Sequence, residues 1–154
     1  MKTLQAGDKA PQFSLQNQND ETVSLADFAG KKVLVYFYPK AMTPGCTVQA
    51  QGLRDVNEEL TAKNVVVLGI SPDAVKRLPK FIEKENLNFT LLSDEDHAVA
   101  DAFGVCGPKK FMGKEYDGIH RQTFLVDENG VIEHVFNKFK TKEHHTVVLD
   151  YLNS

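Results

Sequence analysis

Two short, uninterrupted apolar segments lie on either side of one long amphipathic segment, and this arrangement restricts the fold more than any other feature of the chain. Val33 to Tyr38 and Val65 to Ile70 consist largely of β-branched, leucine and aromatic residues without polar alternation, which is typical of strands buried on both faces. Between them, Thr43 to about Lys63 has apolar residues spaced three and four positions apart, which predicts an amphipathic helix. The three segments predict a strand–helix–strand unit inside a covered sheet.

The next part of the chain continues the alternation of helices and strands. Asp73 to Asn86 is helical in pattern, and Pro79 within it predicts either a kink or a late start. Phe89 to Leu92 is a short strand, and Ser93 or Asp94 can cap the helix that follows.

Two hairpins are predicted at the ends of this unit. Gln12 to Leu15 and Thr22 to Leu25 flank a polar stretch and form an N-terminal β-hairpin ahead of the main fold. Gln122 to Val126 and Val131 to Phe136 enclose a glycine-containing turn and form an antiparallel pair, and a closing helix runs through Val147 and Leu152. The order predicts an α/β fold of the thioredoxin-like type, with a central mixed β-sheet flanked by helices.

Length and composition limit the classes of protein that remain. A chain of 154 residues without internal repeats or linkers predicts one domain, residues 1–154. A net charge of −3 provides no general attraction to nucleic acid or to an anionic membrane. Two cysteines do not make a disulfide scaffold, and the N-terminal residues have no signal-peptide pattern, so we expect a cytoplasmic protein.

One cysteine occupies the junction between the first buried strand and the long helix. In the sequence Pro39-Lys40-Ala41-Met42-Thr43-Pro44-Gly45-Cys46, Thr43 is a good N-cap and Pro44 suits the first helical position. Cys46 would then be the third helical residue, above free backbone N–H groups that favour a thiolate. The same octet is also compatible with a purely structural helix start.

These residues resemble the active-site signature of the peroxiredoxins, Pro-x-x-x-Thr-x-x-Cys, through Pro39, Thr43 and Cys46. The resemblance is greatest to the branch that contains bacterioferritin comigratory protein and peroxiredoxin Q, and it extends over nearly the whole chain. Three segments carry it most clearly: Tyr36 to Thr47, Asn88 to His97 and Tyr116 to Arg121.

The resemblance implies a thiol peroxidase that reduces hydrogen peroxide and organic hydroperoxides without a metal or other cofactor. Cys46 would be the peroxidatic nucleophile, Pro39 would shield it, and Thr43 and Arg121 would shape the peroxide site. For thiols in general, lowering the pKa from about 8.5 to about 6 raises the thiolate fraction near pH 7 roughly 30-fold but weakens the nucleophile roughly 13-fold. Most of the acceleration must therefore come from positioning the peroxide and stabilising the departing oxygen.

The sulfenic acid formed at Cys46 must then be reduced. Many members of the branch have a second cysteine five residues after the first, where this chain has Gln51. The remaining thiol is Cys106, which lies in a glycine- and proline-rich segment that we expect to be flexible. Cys106 is either the resolving residue or a small packed side chain, and in the second case an external thiol such as thioredoxin, glutaredoxin or glutathione reduces Cys46 directly. The resemblance leans towards a monomer.

Other interpretations of the sequence receive less support. A thiol-disulfide oxidoreductase requires Cys-x-x-Cys, which is absent after Cys46. His144 and His145 point about 100° apart on a helix and form a poor chelate, so we expect them on a solvated helix surface. The alternative from another class is a redox sensor or holdase in which Cys46 reacts stoichiometrically.

Overall fold

The computed structural model describes all 154 residues. The strands are β1 (Ser14–Asn17), β2 (Thr22–Ser24), β3 (Lys32–Phe37), β4 (Val65–Ser71), β5 (Thr90–Ser93), β6 (Cys106–Phe111), β7 (Lys114–Ile119), β8 (Gln122–Val126) and β9 (Ile132–Phe136). The α-helices are α1 (Pro44–Ala62), α2 (Leu78–Glu85), α3 (Ala98–Phe103) and α4 (His144–Leu152), and short 3₁₀ helices cover Leu25–Phe28 and Val75–Arg77.

Seven of the strands form one mixed sheet in the order β2-β1-β5-β4-β3-β8-β9. The pairs β3–β4 and β4–β5 are parallel, and the remaining pairs are antiparallel. The apolar strand β3 therefore has neighbours on both edges, and β3, α1 and β4 form the predicted strand–helix–strand unit. This architecture confirms the predicted thioredoxin-like α/β fold with a mixed central sheet.

The two faces of the sheet are covered by different layers, because alternate residues of a strand point to opposite faces. Leu34 and Tyr36 of β3 belong to an apolar cluster with residues of α1, α2 and α4. Val35 and Phe37 belong to a second cluster, with α3 and the segment that precedes β1. Both strands β3 and β4 are buried almost throughout, which explains their continuous apolar sequences.

Three details differ from the sequence predictions or decide between them. The N-terminal hairpin is part of the main sheet and does not lie ahead of it, because β1 also pairs with β5. Pro79 marks a late helix start: α2 begins at Leu78, so the proline lies in the first turn, where its missing N–H is not needed. Asp94 caps α3 from a distance, since its carboxylate accepts hydrogen bonds from the N–H groups of Val99 and Ala100.

A further hairpin follows α3 in the segment that was expected to be flexible. Its strands β6 and β7 pair only with each other, with Cys106 opposite Ile119 and Phe111 opposite Lys114. The tip is exposed, and Met112 is 87% accessible there. The chain leaves β7 and enters β8 through residues 120–121, so this hairpin leads directly to Arg121.

None of the helices combines the length and the hydrophobicity that a bilayer crossing requires.

Candidate active site

The candidate nucleophile lies where β3 passes into α1. Thr43 has an extended backbone at the N-cap position, and Pro44 is the first helical residue. Cys46 is the third residue of α1, so its side chain lies over the end of the helix at which backbone N–H groups are free. Met42 is held at a φ of +66°, which turns the loop sharply into the helix.

The loop before the helix is fastened by a buried carboxylate. Asp73, which follows β4, accepts hydrogen bonds from the backbone N–H of Ala41 at 2.7 Å and from the Ser71 hydroxyl at 2.8 Å. Arg77 donates to the other oxygen of Asp73 at 3.1 Å and to the carbonyl of Ala41 at 3.4 Å. Both backbone groups of Ala41 are thus held, which fixes the loop that leads to Cys46. Sequence reasoning missed Asp73, although a Ser-Pro-Asp sequence after a buried strand is a detectable signal.

The guanidinium of Arg121 contacts the sulfur of Cys46. Its Nη2 donates to the Cys46 Sγ at 3.4 Å, and its Nη1 donates to the Gln49 Oε1 at 2.6 Å. Gln49 lies three residues after Cys46 on the same face of α1 and is completely buried. The planar guanidinium therefore spans two groups of one helix, which fixes its orientation towards the sulfur. Gln49 was also missed from the sequence.

The other two residues of the signature, Pro39 and Thr43, lie in the loop between β3 and α1. The Thr43 hydroxyl donates to the carbonyl of Lys40 at 2.8 Å and makes no capping bond to the helix. Its oxygen therefore retains lone pairs that can accept a hydrogen bond from a ligand. Pro39 is half-buried at the beginning of the loop, directly after the buried Tyr38. Pro39 and Thr43 thus lie in the segment that leads into the first turn of α1, and Arg121 contacts Cys46 of that turn from the segment before β8.

Aromatic side chains form the inner wall. Tyr36 and Tyr38 are stacked with their ring centroids 5.4 Å apart, and both belong to the apolar cluster that contains Cys46. Burial raises the pKa of both phenols, so they stay neutral. Cys46 itself is only 1% exposed, and access of a ligand to the sulfur therefore depends on movement of the surrounding side chains.

A lysine from the β6–β7 hairpin approaches the same site. The Lys109 Nζ donates to the backbone carbonyl of Ile119 at 2.6 Å, two residues before Arg121. Burial lowers the pKa of Lys109 and the adjacent Arg121 lowers it further, whereas charge on Cys46 raises it. A second basic group is therefore within electrostatic range of both Cys46 and Arg121. Nothing in the sequence distinguishes Lys109 from its neighbouring lysines.

Cys106 is placed apart from Cys46 in this conformation. Both cysteines are free thiols, and Cys106 packs against the apolar cluster on the other face of the sheet. Burial raises the pKa of Cys106, and the nearby carboxylate of Asp101 raises it further. Because the two cysteines lie on different faces of the sheet, a Cys46–Cys106 disulfide would require a substantial rearrangement.

Gln51, which stands at the position of the usual second cysteine, donates a hydrogen bond to Glu85 at the end of α2, at 2.8 Å.

The prediction of a solvated histidine pair is wrong for His144. This side chain is completely buried at the start of α4, and its Nε2 lies 2.8 Å from the Thr123 hydroxyl. His145 is half-buried against Gly52 of α1. The amphipathic pattern of α4 did not reveal this, because histidine is compatible with either face of a helix. No group of three or more histidine, cysteine or carboxylate side chains is gathered as a metal site requires.

Comparison with known proteins places the chain in a family. Residues 6–135 match the AhpC/TSA family. Peroxiredoxin Bcp from Escherichia coli is 64% identical over 152 residues, which cover 99% of this chain and 97% of that protein.

Solved structures show the same fold. The structure of a cysteine-to-serine mutant of PrxQ from Xylella fastidiosa has a TM-score of 0.92, is 28% identical, and the alignment covers 99% of this chain and 98% of that one. Bacterioferritin comigratory protein from Xanthomonas campestris has a TM-score of 0.86 at 33% identity, and the alignment covers 92% of this chain and 90% of that one. The Xanthomonas structure was described in connection with alkyl peroxide reduction by that protein.

Proposed function

The chain belongs to the AhpC/TSA family and is a thiol-dependent peroxidase of the peroxiredoxin type, and we propose that Cys46 is its peroxidatic nucleophile. The observation that carries the proposal is the hydrogen bond from the Arg121 guanidinium to the Cys46 Sγ at 3.4 Å, at the N-terminal end of α1. The guanidinium and the free backbone N–H groups both lie at this sulfur, where they can donate to negative charge that develops during the reaction.

The first chemical step is a displacement at oxygen. The Cys46 thiolate attacks one oxygen of the hydroperoxide, an S–O bond forms, and the O–O bond breaks. The departing oxygen carries the electron pair away and takes up a proton, leaving water or an alcohol and a sulfenic acid on Cys46. The Thr43 hydroxyl oxygen accepts a hydrogen bond from the peroxide, and Arg121 stabilises the negative charge on the departing oxygen.

The fixed positions of Arg121 and Thr43 supply the part of the increase in peroxide reduction rate that ionisation of the Cys46 thiol does not supply. Gln49 holds one edge of the guanidinium at 2.6 Å, and the loop that carries Pro39 and Thr43 is held at Ala41 by Asp73. The donors are therefore in place before the peroxide arrives, and little reorganisation is needed in the transition state. Pro39 shields the sulfur from the loop side.

The sulfenic acid is reduced by a thiol, in a cycle without the usual resolving cysteine. A first thiol attacks the Cys46 sulfur, forms a mixed disulfide and releases water; a second thiol releases the Cys46 thiol and leaves as a disulfide. Because Gln51 lacks a sulfur and Cys106 packs on the other face of the sheet, the structure favours a one-cysteine cycle. A cycle resolved by Cys106 is the second candidate, and it requires the rearrangement described above.

The substrates follow from the site and from the relatives. Hydrogen peroxide and organic hydroperoxides both present the O–OH group that Thr43 and Arg121 can bind, and the Xanthomonas relative is described with alkyl peroxide reduction. The reductant is thioredoxin, glutaredoxin or glutathione, and the enzyme works as a cytoplasmic monomer without a cofactor.

Steady-state consumption of hydroperoxide with a thiol donor tests the proposal. A catalyst consumes many equivalents of peroxide per Cys46, whereas a redox sensor or holdase consumes about one. We expect many turnovers in the parent protein and none in Cys46→Ser. A stoichiometric burst without turnover, with each of the three thiol donors, would support the sensor instead.

A further inference from the structure

The first turn of α4 places two imidazoles between the two halves of the candidate active site. One half is α1, which carries Cys46 and Gln49, and the other is the start of β8, which follows Arg121. Neither histidine contacts the sulfur or the guanidinium through a hydrogen bond. Their environment therefore has to be explained separately from the peroxide chemistry.

His144 attaches α4 to the strand that follows Arg121. Its Nε2 lies 2.8 Å from the hydroxyl of Thr123, and both residues are completely buried. The imidazole is further enclosed by Phe139, with ring centroids 4.5 Å apart, and by Tyr36, at 6.0 Å. A buried polar pair of this kind has one geometry, because any displacement leaves two polar groups unpaired in an apolar environment.

His145 packs the same turn of α4 against α1. Its ring lies so close to Gly52 that a Cβ at that position would overlap the Nδ1 and Cγ atoms of the imidazole. Gly52 is therefore the residue that permits α4 to approach α1 at this point. Close by, Thr141 lies next to Gly45 in the first turn of α1, at 3.7 Å from a Cβ built there. The segment from Thr141 to His145, which leads into α4, thus lies against α1 at two places and against β8 at one.

We propose that His144 is a positioning residue for the peroxidase reaction: through its bond to Thr123, and with His145 packed on Gly52, it sets the distance between Arg121 and Cys46. The inference rests on the proposed role of Arg121. Because the Arg121 Nη2–Cys46 Sγ contact joins the residue before β8 to a residue of α1, its length depends on how β8 and α1 are held relative to each other. Residues 141–145 form a segment that contacts both.

The hydrogen bond between His144 and Thr123 does not change with pH in the ordinary range. Burial lowers the pKa of His144 to about 3, and the neighbouring His145 and Arg121 contribute in the same direction. The imidazole therefore stays neutral in ordinary buffers, and its link to Thr123 persists.

The test measures the second-order rate constant for oxidation of reduced protein by hydrogen peroxide. We expect His144→Leu, which keeps an apolar side chain in the site, to lower this constant on the order of tenfold, because small displacements of catalytic groups are costly. Thr123→Val removes only the hydroxyl and should lower it in the same direction. His144→Gln retains a polar atom near the position of Nε2 and should recover much of the lost rate.

A matched control separates positioning from stability. Val148→Ala removes packing from the same helix at a completely buried residue one turn after His144, and it leaves the contacts of both histidines in place. It should lower the melting temperature while leaving the peroxide rate nearly unchanged. At a pH where the thiol is fully ionised, alkylation of Cys46 by iodoacetamide has no departing peroxide oxygen for Arg121 to stabilise, and it should be no slower in His144→Leu than in the parent.

A double-mutant cycle with Arg121→Ala decides the inference. If His144 acts through Arg121, adding His144→Leu to Arg121→Ala changes the peroxide rate less than twofold. Independent, multiplicative effects would overturn the positioning role while leaving the proposed function intact, as would an unchanged peroxide rate in both His144→Leu and Thr123→Val. If Arg121→Ala alone has no effect on the rate, the proposed role of Arg121 and this inference both fail.

Discussion

Replacing Arg121 by lysine and by alanine separates the geometry of this side chain from its charge. Two different nitrogens of the guanidinium donate to Gln49 and to the Cys46 sulfur. A lysine ammonium can keep the positive charge but cannot hold both directions with one rigid, planar group. Alanine removes both the charge and the donors.

The expected magnitudes follow from the distance and from the burial of the sulfur. The Arg121 Nη2 lies 3.4 Å from the buried sulfur, close enough to donate to an oxygen that departs from it. Loss of one fixed donor to a developing negative charge lowers rates about 10² to 10³-fold, or roughly 3 to 4 kcal/mol. We expect Arg121→Ala to fall in that range and Arg121→Lys to lose roughly tenfold.

The assay is single-turnover oxidation of the reduced protein by hydrogen peroxide, followed by rapid quenching and mass spectrometry. It should be repeated at increasing pH until the rate no longer rises, so that ionisation of the thiol does not limit the comparison. Arg54→Ala is the matched control, since Arg54 also lies on the α1 side of the sheet but donates to the carbonyl of Glu85.

A rate for Arg121→Ala within threefold of the parent at this plateau would refute the reasoning. A loss in Arg54→Ala as large as that in Arg121→Ala would show that the effect is general destabilisation.

Three further experiments, two of them on variants, test other parts of the site. Mass spectrometry of peroxide-treated protein should find sulfenic or sulfinic acid on Cys46, because Cys106 packs on the other face of the sheet; a Cys46–Cys106 disulfide in most molecules would contradict the one-cysteine cycle. Asp73→Ala leaves buried partners unpaired and should cost about 3 kcal/mol in urea denaturation and slow peroxide reduction; unchanged stability would argue against the loop-fastening role. His144 is neutral in the folded state down to pH about 3 but binds a proton below about 6.5 when unfolded, so its contribution to stability falls as the pH drops through that range, by up to about 1.4 kcal/mol per pH unit. In His144→Leu the unfolding free energy should depend less steeply on pH, and equal slopes would contradict the buried neutral imidazole.

Local patterns were sufficient to predict the elements that carry Cys46. The uninterrupted apolar sequence of Val33 to Tyr38 predicts a strand that is buried on both faces. Thr43-Pro44 predicts a helix start, so the position of Cys46 as the third helical residue follows from neighbouring residues alone. The hairpin β6–β7 was missed because it has no apolar face: most of its side chains are exposed, and main-chain pairing holds it together.

Partners that are distant in the chain could not be predicted by the same means. Gln49 and Asp73 are polar residues whose roles depend on what lies opposite them, and their sequence neighbours do not contain that information. His144 was assigned to the surface because the spacing of apolar residues in a short helix does not determine which polar residue is turned inward.

The sequence by itself determined the order of the strands and helices of the main sheet, the helix start that presents Cys46, and the absence of a second sulfur at position 51. These features depend on interactions within a few residues, which the chain encodes directly. Only the tertiary structure decided that Arg121 contacts the Cys46 sulfur, that Gln49 accepts a hydrogen bond from the same guanidinium, and that Cys106 lies on the other face of the sheet. The physical reason is that such contacts arise when separate elements pack on the two faces of one sheet, and the packing determines which side chains come within hydrogen-bonding distance.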